Sequence, residues 1–339
     1  MKRVLVTGGA GFIAHHFIAE ALKRTDWEIV SLDRLDFSGN LNRLQDALKD
    51  NPEKHRVKIV HHDLKAEISL WIAEKIGRID MIFHLAAGTH VDRSIMYPMQ
   101  FALDNVIGTV NILEFARTQQ LEKFFYFSTD EVFGPAPVGV AYAEYDRYNA
   151  TNPYAASKAG AEEMCVAYRN TYQVPVVVTH TMNVFGPRQH PEKFIPDTIA
   201  KVRDGDVVTI HSDPSCTQSG SRFYIHVLDV ADALLFLTER SASLRGICPK
   251  FNIAGEREVS NLELAQMIAG VQKLPLRYKM VDFHSSRPGH DLRYALDGAL
   301  MHSMGWVPRL SVQERIDEVV LWSLQHDEWL RTAQMEMAL

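Results

Sequence analysis

The chain has 339 residues, which at roughly 150 residues per domain predicts two domains or one domain with a large second lobe. Hydrophobic residues make up 46% and charged residues 23%, which is typical of a globular protein and excludes a disordered or fibrous chain. The 36 basic and 42 acidic residues give a formal net charge of -6, so the charge of the chain does not favour binding to a nucleic acid backbone.

Cysteine and histidine usage predicts a reduced, cytoplasmic protein without a metal site. Cys165, Cys216 and Cys248 are odd in number and far apart, with no C-x-x-C spacing. The pairs His15-His16 and His61-His62 lack a coherent ligand set. No apolar run approaches the roughly 18 residues of a membrane span, and the first run breaks at once into a glycine-rich turn, unlike a signal peptide.

The first two thirds of the chain alternate short apolar runs with longer helix-compatible segments, a pattern typical of βαβ units around a parallel sheet. Six runs are apolar almost throughout, as expected of strands covered on both faces. They are residues 3–6, 28–32, 57–61, 81–85, 124–127 and 176–179. Residues 102–119 and 154–171 carry apolar side chains at helical spacing without proline. The predicted fold class is α/β, with a doubly wound parallel (Rossmann) sheet.

The composition changes near residue 183 and predicts a smaller, interleaved C-terminal lobe. Pro187, Pro191 and Pro196 crowd a loop-rich stretch, and residues 212–221 are rich in serine, threonine and glycine. No flexible linker separates the two parts. We therefore assign residues 1–182 plus 223–254 to the domain that holds the sheet, and residues 183–222 plus 255–339 to the second lobe.

A glycine-rich turn follows the first predicted strand and opens a helix. Gly8 and Gly11 hold the first two positions of a G-x-x-G-x-x-G spacing, and Ala14 holds the third, where close helix packing is the only demand. Glycine lets the backbone approach a pyrophosphate, which the free N–H groups of the helix N-terminus then bind. Phe12 and Ile13 begin that helix. The turn predicts a dinucleotide site.

An acidic residue ends the second predicted strand, at the distance expected for a ribose ligand. The Asp33 carboxylate can accept both ribose hydroxyls and would repel a 2'-phosphate, which favours NAD over NADP. Arg34 leaves NADP as the alternative, because its guanidinium can receive a phosphate. After the third strand, Asp63 either accepts from the adenine amino group or caps a helix. The remaining predicted cofactor contacts, after strands three and four, are Leu64, Ala86 and Ala87.

Two motifs lie where a doubly wound sheet places its chemistry. Ser128-Thr129-Asp130-Glu131 directly follows the fifth strand, and the segment 154–158 opens a helix. The four-residue step puts Tyr154 and Lys158 on one helical face, so we expect the ammonium to lower the Tyr154 pKa and make the phenol a general base. Ser128 or Thr129 can hold a substrate oxygen. The alternatives are an exposed helix pair and a solvated acidic turn.

Together these motifs resemble the extended short-chain dehydrogenase/reductase family over almost the full chain. Within that family the chain is most similar to the nucleoside-diphosphate-glucose 4,6-dehydratases, above all those of dTDP-glucose. The closer resemblance rests on HVDRS (90–94), STDEVFG (128–134), YAASK (154–158), NVFGP (183–187), PEK (191–193) and RPGHDLRY (287–294).

The resemblance implies oxidation of a hexose at C4, loss of water across C5 and C6, and hydride return to C6 with NAD kept bound. Elimination needs a group to take the C5 proton and another to protonate the C6 hydroxyl. Tyr154 would deprotonate the C4 hydroxyl, Glu131 would take and return the C5 proton, and Asp130 would donate to the C6 oxygen. Thr129 and Lys158 complete the predicted catalytic set. Relatives that only epimerise at C4 usually lack the acidic pair.

The same resemblance implies a sugar-nucleotide site in the second lobe. The residues expected around the diphosphate and nucleoside are Asn183, Lys193, Arg222, Asn261, Arg287 and His290. Arginine suits this role because it binds a diphosphate bidentately. The sequence departs from the family pattern at Gly88, Phe133 and residues 211–224, which leaves dTDP and UDP as alternative nucleotides of the substrate. The pair Gly289 and His290 favours dTDP.

Three other functions remain possible on sequence grounds: a UDP-glucose 4,6-dehydratase, a 4-epimerase, and an NAD-binding regulator that has lost the chemistry. The regulator is disfavoured because the tyrosine, the lysine and both acids are present. Family members are usually dimers, joined here through residues 102–119 and 154–171, so we expect a homodimer that binds a nucleotide sugar. Val106, Val110 and Leu113 suit either a four-helix interface or the intramolecular core.

Overall fold

The computed structural model describes residues 1–36, 39–240, 248–283 and 292–331. Its strands are β1 Arg3–Thr7, β2 Glu28–Asp33, β3 Val57–His61, β4 Met81–His84, β5 Lys123–Phe127, β6 Val176–Thr181, β7 Val184–Phe185, β8 Val208–Ser212, β9 Ser221–Arg222, β10 Ile225–His226, β11 Lys250–Ile253, β12 Val259–Ser260 and β13 Tyr278–Asp282. Its α-helices are α1 Phe12–Arg24, α2 Leu41–Leu48, α3 Leu70–Ile76, α4 Val91–Met96, α5 Pro98–Phe101, α6 Gly108–Arg117, α7 Pro153–Tyr172, α8 Phe194–Asp204, α9 Val227–Arg240, α10 Asn261–Gln272, α11 Ala299–Ser303 and α12 Val312–Gln325. A π-helical segment, Ala102–Ile107, leads into α6, and 3-10 helices occupy Pro52–Arg56, Asp130–Phe133 and Asp327–Leu330.

Seven of the described strands form one parallel sheet in the order β11-β6-β5-β4-β1-β2-β3. All six predicted strands belong to it, which confirms the α/β doubly wound class. The prediction of six strands was wrong by one, because β11 pairs with β6. The polar Asn252 interrupts the apolar pattern of β11. Its buried amide donates to the carbonyl groups of Tyr142 and Asp297, which are partners that only the tertiary structure supplies.

Helices cover both faces of the sheet because adjacent side chains on each strand point in opposite directions. On the face covered by α1 and α9, the rings of Phe83 and Phe125 stack with centroids 4.6 Å apart. Their strand neighbours Ile82 and Phe124 pack on the other face, against α6 and α7. Full burial of each such side chain stabilises the fold by about 1.5–3 kcal/mol. Leu113 is fully buried in this second layer, so it serves the intramolecular core.

A second group of elements follows the sheet and has its own apolar cores. Helices α8, α10 and α12 pack around Ile199, Leu264 and Ile316, and β8 pairs with β13 beside them. Between these elements, α9 and β11 return to the sheet. The boundaries assigned above, 1–182 plus 223–254 and 183–222 plus 255–339, stay a prediction.

Two further observations concern the described part of the chain. None of its helices is both long and apolar enough to cross a membrane. All three cysteines are free thiols; Cys165 and Cys248 are buried and Cys216 is exposed.

Candidate active site

A cavity of about 690 Å³ opens where the strands of the large sheet end, beside the reversal of strand order between β1 and β4. Open α/β sheets bind ligands at this kind of crevice. The predicted site residues on its wall are Gly8, Gly11, Phe12, Ile13, Asp33, Asp63, Leu64, Ala86, Ala87, Ser128, Thr129, Asp130, Glu131, Tyr154, Lys158, Asn183 and Lys193. Arg222 and Asn261 are not on this wall, and Arg287 and His290 lie outside the described residues.

The glycine turn after β1 presses against the segment that follows β4. Gly8 has a φ of 69°, and a Cβ there would come within 2.8 Å of the Cα of Ala86. The Gly8 N–H donates to the Leu32 carbonyl and the Gly11 N–H to the Gly8 carbonyl, each at 2.8 Å. No side chain caps the start of α1 at Gly11. The turn therefore offers bare backbone and a helix N-terminus to the cavity, a cradle that fits a pyrophosphate.

Asp33 is held in place by backbone donors at the end of β2. Its two oxygens accept from the N–H groups of Ala10 at 3.0 Å and Leu35 at 2.8 Å. Burial nevertheless raises the Asp33 pKa above its usual value. A Cβ on Gly39 would overlap this carboxylate, so the backbone closes around it. The arrangement presents a fixed acceptor to the cavity wall.

Arg34, the residue that left NADP open, is engaged by two carboxylates. Its guanidinium lies 2.5 Å from Asp36 and 2.6 Å from Asp104. Burial opposes the charge, but the hydrogen bond to Asp104 and the charge of Asp36 outweigh it and raise the Arg34 pKa. A 2'-phosphate would have to compete with these acids, so the geometry favours a dinucleotide without one.

Asp63 forms a local turn after β3 and does not cap a helix, which was the alternative, because the next helix begins at Leu70 and is capped by Ser69. Its Oδ1 accepts from the Lys65 N–H at 3.0 Å, and its Oδ2 lies 3.3 Å from the Lys65 ammonium. Partial burial opposes ionisation, but these contacts lower the Asp63 pKa. The carboxylate still lines the cavity.

The acidic pair sits on the 3-10 helix that follows β5. Thr129 caps this helix, and its hydroxyl lies 3.0 Å from the Asp130 carboxyl and hydrogen-bonds the Tyr154 phenol. Asp130 is only 3% exposed, and burial followed by the charge of Glu131 raises the Asp130 pKa to about 7. A carboxyl group that keeps its proton near neutral pH can act as a general acid.

Four buried polar atoms on this wall have no hydrogen-bond partner among the described residues, and two of them belong to the segment after β5. These two are the Ser128 hydroxyl oxygen and the Asp130 Oδ2. Both are buried, and an unpaired buried polar atom costs about 1–3 kcal/mol. Their position on the cavity wall fits a pair of contacts to a ligand hydroxyl.

The electrostatics of Tyr154 and Lys158 differ from the expectation. The Lys158 ammonium donates to the Phe127 carbonyl at 2.7 Å and lies 4.3 Å from the Tyr126 ring centre. Burial lowers the Lys158 pKa to about 8. Burial and the charge of Glu131 raise the Tyr154 pKa above its usual value. The prediction that the ammonium lowers the Tyr154 pKa was therefore wrong for this structure, because desolvation of the phenol dominates.

Two motifs far apart in sequence meet on the cavity wall. His90 Nε2 lies 3.4 Å from the Glu192 carboxylate, which also lies 3.6 Å from His190 Nδ1. All three residues line the cavity. The HVDRS and PEK segments, which carried part of the resemblance, thus belong to one site, whereas His190 was not predicted.

Sequence reasoning missed the buried amides that connect the site. Asn105 accepts from the Gly88 N–H at 2.7 Å and donates to the Ser157 hydroxyl at 2.8 Å, which ties the loop after β4 to α7. Asn152 accepts from the Ala155 N–H at 2.8 Å and donates to the Glu131 carboxylate at 3.0 Å. An asparagine followed by proline is a helix-start signal that marks Asn152, but no local signal marks its contact with Glu131.

Asn261 lies one contact away from the cavity wall, and the charge of Arg222 acts on Asp130 in that wall. Tyr224 lines the cavity, and its hydroxyl donates to Asn261 Oδ1 at 2.7 Å. The Arg222 guanidinium packs 4.8 Å from the Tyr294 ring centre and donates to the Leu292 carbonyl. A direct role of these two residues in binding stays a prediction.

The chain is similar in sequence and structure to known proteins of one family. Residues 4–254 match the model of the NAD dependent epimerase/dehydratase family. The chain is 36% identical over 328 residues to the dTDP-D-glucose 4,6-dehydratase of Mus musculus, covering 95% of this chain and 88% of the relative.

Two further matches extend the comparison. The chain is 36% identical over 336 residues to the trifunctional UDP-glucose 4,6-dehydratase/UDP-4-keto-6-deoxy-D-glucose 3,5-epimerase/UDP-4-keto-L-rhamnose-reductase of Arabidopsis thaliana, covering 97% of this chain and 48% of the relative. The crystal structure of the dTDP-glucose 4,6-dehydratase of Streptomyces venezuelae with NAD bound has a TM-score of 0.84 and 32% identity, covering 96% of this chain and 98% of that chain.

Proposed function

Because the chain belongs to the NAD dependent epimerase/dehydratase family, we propose that it is an NAD-dependent dehydratase that converts dTDP-glucose to the 4-keto-6-deoxy sugar nucleotide. The observation that carries the proposal is the acid pair, with the Asp130 pKa raised to about 7 beside Glu131 and a link through Thr129 to Tyr154. A 4-epimerase needs a base at C4 but no acid and base for elimination across C5 and C6. The pair therefore favours the dehydratase.

The cavity has the groups that NAD requires. Gly8, Gly11 and the start of α1 at Phe12 and Ile13 would hold the pyrophosphate, and Asp33 would accept the ribose hydroxyls. The other predicted cofactor contacts are Asp63, Leu64, Ala86, Ala87, Tyr154 and Lys158. NAD held by these residues would supply the hydride acceptor for C4 of the sugar and the hydride donor for C6. Arg34 does not favour NADP, because Asp36 and Asp104 already occupy its guanidinium.

Three side chains divide the proton transfers. Tyr154 takes the proton of the C4 hydroxyl, for which the phenol must first lose its own proton. Burial raises the Tyr154 pKa, and the positive charge of a bound oxidised nicotinamide would lower it. Glu131 takes the C5 proton, which the new C4 ketone has made acidic. Asp130 gives its proton to the C6 oxygen, which leaves as water, and Glu131 returns its proton to C5.

The substrate occupies the rest of the cavity in this proposal. Ser128 and Thr129 hold the sugar oxygen beside Tyr154, which gives the unpaired Ser128 hydroxyl a partner. The residues assigned to the diphosphate and nucleoside are Asn183, Lys193, Arg222, Asn261, Arg287 and His290. Asn183 and Lys193 line the cavity, which supports their part of this assignment.

UDP-glucose is the second candidate substrate. The plant relative named for UDP-glucose is as similar in sequence as the mouse relative named for dTDP-glucose, at 36% identity each. The test is incubation of the purified protein with each sugar nucleotide, followed by the alkaline absorbance of a 4-keto-6-deoxy product and by mass spectrometry for loss of one water. Product from dTDP-glucose alone supports the proposal, product from UDP-glucose alone moves the assignment to that substrate, and product from neither refutes both.

We also propose a cytoplasmic homodimer joined through α6 and α7. Leu103 and Ile107, in the π-helical segment before α6, are 38% and 41% exposed, and Ala156 and Ala167 are exposed on α7. A second copy of the chain would cover these apolar positions. Light scattering should give twice the chain mass for the natural protein and a monomer for Ile107→Asp.

A further inference from the structure

A buried amide connects the two elements that carry the catalytic groups. Asn152 is 4% exposed and stands just before Pro153, where α7 begins. Its side-chain oxygen accepts from the Ala155 N–H at 2.8 Å, and its side-chain nitrogen donates to Glu131 Oε2 at 3.0 Å. Only one orientation of the amide satisfies both neighbours, because an N–H needs an acceptor and a carboxylate needs a donor.

We propose that Asn152 is a positioning residue for the elimination step, which holds the Glu131 carboxylate in register with Tyr154. This inference rests on the proposed function and deepens it. Tyr154 lies two residues beyond Asn152 on α7, whereas Glu131 lies on the 3-10 helix after β5. The amide thus sets the distance between the group that acts at C4 and the group that acts at C5.

The contact also favours the ionised carboxylate that the chemistry requires. A charge-assisted hydrogen bond is stronger than a neutral one and favours the ionised carboxylate, which is the form that takes a proton from C5. The N-terminus of α7 acts in the same direction, since its dipole places partial positive charge near Glu131. Asn152 touches no reacting atom in this arrangement and acts through Glu131.

A purely structural role makes a different prediction. Asparagine, aspartate and serine cap helices about equally well. If Asn152 only caps α7, replacement by either residue is harmless. If it positions Glu131, both replacements remove the amide donor while the cap is kept.

The experiment compares Asn152→Ser and Asn152→Asp with the matched control Asn51→Ser. Asn51 also precedes a proline, and its side chain accepts from the Glu53 N–H at 2.9 Å, but unlike Asn152 it makes no hydrogen bond to Glu131. For each protein kcat, KM, the pH profile, the isotope effect with C5-deuterated sugar nucleotide and the thermal midpoint are measured.

Both Asn152 variants should lose roughly 10- to 100-fold in kcat, since a misplaced catalytic group costs up to about 100-fold. KM should change little, and the isotope effect should rise because C5 proton removal becomes the slower step. The acidic limb of the pH profile should move to higher pH, most in Asn152→Asp, where a second carboxylate favours the protonated form of Glu131. The thermal midpoint of Asn152→Ser should match that of Asn51→Ser, whereas that of Asn152→Asp should be lower because two carboxylates then face each other.

Three results overturn the inference. Variants with unchanged kcat and isotope effect would show that Asn152 is a cap alone. Loss of activity that only follows a lower thermal midpoint in both variants would show the same. If the natural protein forms product and either of these outcomes is found, only the inference about Asn152 is refuted. If the natural protein forms no product, the proposed function is refuted as well.

Discussion

Replacement of Asp130 by asparagine should make the protein more stable above neutral pH while it removes dehydratase activity. The Asp130 side chain is buried, and its pKa is raised from 3.8 to about 7. The folded protein therefore holds a proton that the unfolded chain releases between about pH 4 and 7. The contribution of Asp130 to the free energy of unfolding of the wild-type protein is therefore fully present below pH 3.8. It falls as the pH rises from about 4 to 7 and stays low above pH 7.

The magnitude follows from the size of that rise. A rise of one in a pKa corresponds to about 1.4 kcal/mol, so burial of the charged Asp130 lowers the free energy of unfolding of the wild-type protein by up to about 4 kcal/mol at pH 8. At pH 5 most of that cost has not developed. The free energy of unfolding of Asp130→Asn relative to wild type should thus increase by about 3 kcal/mol between pH 5 and pH 8.

Urea unfolding of both proteins at several pH values from 5 to 8, without substrate, measures this difference. Asp206→Asn, at an exposed carboxylate, is the control and should show no such slope. A difference that does not change with pH, or a variant less stable than wild type at pH 8, would refute the reasoning. It would mean that Asp130 is ionised in the folded protein at neutral pH and cannot be the general acid.

Two further predictions test the cofactor cradle and a buried ion cluster. Gly8→Ala should weaken NAD binding about tenfold or more in a dinucleotide titration, because its Cβ would meet the Ala86 backbone. The control is Gly139→Ala, at a glycine with a similar φ but open space around it, which should bind NAD normally. Equal NAD affinity in both variants would show that the turn does not hold the cofactor. Glu162→Gln should lower the free energy of unfolding by about 3–5 kcal/mol in urea, because it leaves the Lys250 ammonium, 2.9 Å away, without its buried counter-charge. The exposed Glu163→Gln on the same helix is its control, and equal stability of the two variants would contradict this account.

The local features of the fold and site were predictable from the sequence. Fully buried parallel strands appear as short apolar runs, so six strands and the α/β class followed from composition along the chain. The glycine turn is also local, since Gly8 and Gly11 lie within four residues of each other and directly follow β1. The acid pair could be named as well, because Asp130 and Glu131 are adjacent and follow a strand.

The tertiary structure decided what those residues experience. Arg34 is removed from phosphate binding by Asp104, which lies 70 residues away. Strand β11 was missed because the partners of Asn252 come from distant loops. The Tyr154 pKa rises instead of falling, because burial of the phenol outweighs the neighbouring lysine on its helix.

The contact between Asn152 and Glu131 shows the same division. The sequence by itself predicted that a helix opens at residues 154–158 and that a glutamate follows β5. Only the packing of α7 against the 3-10 helix brings the amide within 3.0 Å of the carboxylate. The physical reason is that strand and turn signals depend on neighbours along the chain, whereas proton affinity and hydrogen bonding depend on burial and on distances between residues that the fold brings together.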